Sequence, residues 1–139
     1  MTWRERVQQA LGRYMSEPAA EATAALLGAF HATERVANGD ASEEARRAVV
    51  QMLVDLTFGL ATSTWFQTHR GVVMPVFGTA VLAWLDAMDY AARGQEGKAI
   101  LARSVISEVA TAALLADKGA GEARRLTGQM RDALMAIRE

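Results

Sequence analysis

Between Ala48 and Leu85 the chain carries only two formal charges, Asp55 and Arg70. A helix that is apolar around most of its circumference has two homes, the middle of a helical bundle or the interior of a membrane. The segments 48–66 and 72–88 are each nearly long enough to span a bilayer. Asp55 falls in the middle of the first, a costly position in lipid. Gln51, Thr57, Thr62, Ser63 and Thr64 dilute that segment further, and no lysine flanks either one. The expectation is therefore a central helical hairpin in a soluble, cytoplasmic bundle, and a membrane is not an expected partner.

The rest of the chain reads as helix. Its 28 alanines, with many Leu, Arg, Glu and Met, are residues that lose little side-chain freedom in a helix. Thr2-Trp3-Arg4-Glu5 has the spacing of a capping box, and so does Asp40-Ala41-Ser42-Glu43, where a side chain takes a free N–H and an acid reaches back. Charges at Arg4, Glu5 and Arg6 leave no room for a signal peptide. Pro18 suits a first helical turn, Asn38-Gly39 a helix stop, 67–71 a loop, and Pro75 the start of the next helix. Gly119 and Gly121 separate the last two helices. These signals predict an all-α single domain over 1–139. Its form is a compact bundle of five to six helices around a buried central hairpin (about 41–66 and 75–93).

At 139 residues and 15.0 kDa, a folded chain of this mass exposes roughly 7,000 Å². Helix 2 carries Ala20, Ala24, Gly28 and Ala32 at i+4 spacing, and helix 5 is also rich in alanine. Such helices offer thin apolar faces. A second copy is then the economical cover for the bulky hairpin, and a symmetric dimer is the expected form of homo-oligomer.

Chemistry is mostly excluded. With no cysteine there is no disulfide, thiol nucleophile or Cys-ligated metal. The net charge of −1 argues against nucleic acid as the partner. The two histidines, His31 and His69, fit neither a Glu-x-x-His nor a His-Glu-x-x-His pattern, and no cofactor is expected. Asp55 and Glu108 sit in apolar runs, where a carboxylate needs a partner or a raised pKa. Arg47, Arg70 and Arg103 are candidate partners, and a desolvated general base is the catalytic alternative.

Asp86-Ala-Met-Asp89 places two oxygen donors on one helix face, as hard Mg²⁺ requires. The pair resembles the helix-borne carboxylates of all-α nucleotide pyrophosphohydrolases of the MazG type. That resemblance implies a small metal-dependent hydrolase, with Asp86 and Asp89 as metal ligands and Asp55 and Glu108 as further catalytic candidates. The pair is Asp rather than Glu, however, and no second pair follows at the family's interval.

The last helix has the clearest partner-facing pattern. Met130 and Leu134 lie on an apolar seam, and Arg124, Arg131 and Arg138 recur at heptad spacing beside it. Either the helix packs on its own bundle with an arginine edge, or it docks another protein. The favoured function is a non-catalytic helical interaction or assembly module that self-associates. The carboxylate-metal hydrolase is the alternative.

Overall fold

Four of the six helices among the described residues begin at a side chain that takes a free backbone N–H. The Thr2 hydroxyl accepts from Glu5 N at 3.2 Å while the Glu5 carboxylate accepts from Thr2 N at 2.8 Å, which opens α1 (Trp3–Leu11). Ser16 caps α2 (Glu17–Ala37), with Pro18 in its first turn and Gly39 at φ +84° beyond its end. Ser42 caps α3 (Glu43–Val54) by accepting from Ala45 N at 3.1 Å. The capping box expected at Asp40–Glu43 does not form: Asp40 lies upstream of the Ser42 cap and accepts from Ser42 N at 2.9 Å, and Glu43 pairs with Arg47.

α3 continues through a wide π turn (Asp55–Gly59) and a last α turn (Leu60–Thr62). Ser63 then caps α4 (Thr64–Ala92). Gly94, at φ +75°, leads to α5 (Glu96–Lys118), which tightens into a 3₁₀ turn at Ser104–Ser107. Gly119, at φ +83°, admits α6 (Ala120–Met135). The computed structural model describes residues 1–137, and these are helical with no strand among them. The all-α bundle of six helices agrees with the sequence.

One boundary differs from expectation. The predicted loop at 67–71 is helical, and α4 runs unbroken through Pro75. A proline inside a helix removes one hydrogen bond and crowds the carbonyl four residues back. Here that carbonyl belongs to Gly71, which has nothing near its missing side chain, and Pro75 faces outward. The real break is Ser63, whose extended backbone and hydroxyl cap (3.1 Å from Phe66 N) make a better helix start.

The larger correction concerns burial. The 41–66 and 75–93 hairpin is not the centre of this chain. α2 is: from Ala19 to Ala32 its residues are buried apart from Glu21, Gly28 and His31. It packs against α1, α3, α4 and the second half of α5. A helix with four neighbours needs small side chains to keep interaxial distances near the usual 8–10 Å, and Ala22, Ala24, Ala25 and Ala29 provide them. Gly28 sits where an added Cβ would lie 3.4 Å from the Arg4 stem. The thin apolar face that suggested an outer helix is what lets α2 be the inner one. The bulky residues of α3 and α4 are divided between the core and the outside.

Candidate assembly surface

The polar residues singled out in the sequence are placed by this packing. Asp55 is buried (6% exposed), because the π turn swings it toward α1. It accepts from Arg4 Nε and Nη2 at 2.5 and 3.2 Å and from Gln51 Nε2 at 2.8 Å. Arg4 also donates to Gln8 Oε1 at 3.0 Å. The partner is thus Arg4, not Arg47, Arg70 or Arg103. Arg47 pairs with Glu43 at 2.8 Å and Arg103 with Glu34 at 3.0 Å, while Arg70 is exposed. A cleft of about 350 Å³ opens beside Arg4 and Asp55, walled by Trp65, Leu60 and Ser63. The three donors that hold the Asp55 carboxylate give it a structural role at the wall of this cleft.

Glu108 is half-buried and accepts from Arg131 Nη2 at 2.6 Å; the same nitrogen donates to Thr111 Oγ1 at 3.2 Å. The pair fastens α6 to α5. Asp86 and Asp89 are exposed on α4. Among the described residues no three His, Cys, Asp or Glu side chains gather where a metal could sit, so the geometry offers the hydrolase alternative no support. His31 stacks on Trp3, with ring centroids 4.2 Å apart and planes 7° from parallel, and His69 lies against Trp65 at 4.8 Å.

On α6, Met130 is fully buried and Leu134 packs against the same core. That seam therefore fastens the helix to its own bundle. Arg124 is exposed, Arg131 is engaged with Glu108, and Arg138 lies outside the described residues.

The sequence reading missed Asp117. Its carboxylate accepts from Ser16 N (2.7 Å), Ser16 Oγ (2.8 Å) and Trp65 Nε1 (2.9 Å). One side chain thus ties the end of α5 to the α1–α2 turn and the start of α4. Burial works against its charge, but the Ser16 backbone and hydroxyl and the Trp65 indole outweigh it and hold the pKa below the ordinary carboxylate value. No local pattern announces this, because Asp117 sits among apolar residues near a helix end like many surface acids.

Apolar side chains are also exposed on three helices. On α3, Val50, Leu53, Val54 and Phe58 recur at i+3 and i+4 spacing and face outward, Phe58 at 65% exposure. On α4 the exposed residues include Val72, Leu82, Leu85 and Met88, and on α5 they include Ile100 and Leu101. α4 (Thr64–Ala92) and α5 (Glu96–Lys118) are both long and apolar enough to cross a membrane, by length and composition. The chain exposes 7984 Å², against roughly 7,000 Å² for a folded monomer of its mass. No family model, curated protein or solved structure matches this chain.

Proposed function

We propose that this protein is a non-catalytic helical assembly module that acts by self-association, in the cytoplasm, with a dimer as its simplest form. The observation that carries the reading is the surplus of exposed surface, about 1,000 Å² above the roughly 7,000 Å² of a monomer of this mass. A standard protein–protein interface removes about 800 Å² from each partner, so the surplus has the size of one such interface. Val, Leu, Ile, Met and Phe side chains stand exposed on α3, α4 and α5, the kind of surface that marks an interaction site when it is contiguous. Of the carboxylates that suggested chemistry, Asp55 is paired with Arg4 and Glu108 with Arg131, while Asp86 and Asp89 stand exposed on α4 with no third metal-ligating side chain gathered beside them among the described residues.

Sedimentation equilibrium over about 1–200 μM protein tests the reading, a span that brackets micromolar affinity. A mass of two protomers or more, rising with concentration, supports it. A mass of 15.0 kDa throughout removes it.

A further inference from the structure

The α4–α5 hairpin continues past the body of the bundle. Phe30 of α2 meets Phe77 of α4 with ring centroids 5.3 Å apart, which sets the two helices at a common level. Beyond it α2 ends at Ala37, whereas α4 runs on to Ala92. At 1.5 Å per residue the hairpin overhangs by about 12 Å. Arg103 of α5, paired with Glu34 in the last turns of α2, marks where the returning helix rejoins the body. Before that point α5 packs chiefly on α4. Ala87 and Ala99 are fully buried and close the two helices on each other. Leu85, Met88, Ile100 and Leu101 are left exposed, Leu101 at 72%.

The tip carries exposed charges of both signs: Asp86 and Asp89 on α4, Arg93 beyond its end, and Glu96 and Lys98 at the start of α5. Asp86 and Asp89 form no ion pair among the described residues. Arg93 and Lys98 lie over the Tyr90 ring, at 5.3 and 5.8 Å. Acids on α4 and two bases beyond them, with Glu96 between the bases, make a surface of mixed sign that a second copy turned about a two-fold axis can match, the self-matching pattern of an isologous interface.

We propose that this hairpin is the dimerisation arm, and that the tips of two copies pack side by side into an intermolecular four-helix bundle. The proposal rests on the self-association reading above and adds to it the face and the geometry. Exposed leucines and isoleucine supply the seam, as in other antiparallel bundles. The carboxylates of each α4 then meet the bases of the opposite copy. Lipid is the poorer occupant. The charges of α5 at Arg103 and Glu108 are paired to Glu34 on α2 and Arg131 on α6, so burying α5 in a bilayer would draw those charged helices in with it.

The test compares full-length wild type with Leu85→Glu and Leu101→Glu on the hairpin and with Val50→Glu and Phe58→Glu on the outer face of α3. All four positions are exposed, so folding is monitored by far-UV circular dichroism but is not at stake. The expected result is a dissociation constant raised at least tenfold, about 1.4 kcal/mol, by each hairpin variant and hardly changed by the α3 variants. Dimers that resist the hairpin substitutions and yield to those on α3 overturn the arm while leaving self-association intact. A wild type that stays monomeric overturns both, and flotation of that monomer with anionic vesicles would assign the hairpin to lipid.

A charge swap gives an independent check. Asp86→Lys/Asp89→Lys and Arg93→Glu/Lys98→Glu should each associate at least tenfold more weakly, and mixing them should restore the dimer. A mixture that remains dissociated overturns the pairing of these faces.

Discussion

Removing the Asp55 carboxylate is the perturbation whose size can be worked most directly from the structure. Asp55 and Arg4 are 51 residues apart in sequence and share a bidentate pair, with side chains 8% and 18% exposed. Breaking a buried pair by deleting one partner leaves the other charge uncompensated, a loss of about 3–5 kcal/mol. The cleft beside Arg4 admits water to the guanidinium, which places Asp55→Ala at the low end, about 2–3 kcal/mol. Arg4→Met strands the carboxylate, which is the more enclosed partner, and should be at least as harmful. The double variant Arg4→Met/Asp55→Leu removes both charges and fills the space with apolar atoms. It should lie within about 1 kcal/mol of wild type and, with Asp55→Leu as its matching single variant, give a coupling energy of about 2 kcal/mol or more.

Urea unfolding followed by circular dichroism reads this out. With a slope of about 1–3 kcal/mol/M for a chain of this size, Asp55→Ala lowers the midpoint by about 1–2 M. Protein concentration must be fixed across the series, since dissociation of any oligomer is linked to unfolding. Single variants each within about 0.5 kcal/mol of wild type, and additive in the double, would refute the view that this pair locks α3 to α1.

Other expectations follow from single sites. Met130→Ala should destabilise the fold by about 2–5 kcal/mol, because Met130 is fully enclosed; a loss under about 1 kcal/mol would return this side chain to the surface role first read from the sequence. Asp117 has its folded pKa held below the ordinary carboxylate value, so its contribution is complete above about pH 4 and is lost as pH falls through the folded value. Asp117→Asn should therefore flatten the fall of melting temperature below about pH 4, and an unchanged acid limb would refute it. Asp40, lowered to about 2 by the Ser42 hydroxyl and backbone and by Arg35, titrates in the same window, so some slope should persist. Pro75→Ala restores a missing helical hydrogen bond at an exposed position and should raise stability by about 1–2 kcal/mol in thermal or urea unfolding. A destabilised variant would show that the proline shapes α4 rather than merely being tolerated there.

The sequence by itself determined the helices and most of their ends. Thr2, Ser16, Ser42 and Asn38-Gly39 act within three or four residues of themselves, and such contacts form wherever the chain goes next. It also carried the apolar run at 48–85 and the oddity of Asp55 and Glu108. Only the tertiary structure decided which helix is inside. Alanine looks weak when apolar area is counted along one helix, yet it is what allows α2 to be approached from four sides, a property visible only once its neighbours are present. Partner choice is non-local for the same reason. Asp55 found Arg4 across 51 residues and Asp117 found Ser16 across 101, distances over which sequence spacing sets no geometry and packing sets all of it. The bulky run was legible at once, but that much of it stays outside the chain, on a hairpin reaching past its own core, follows from the lengths of α2 and α4 as they lie side by side.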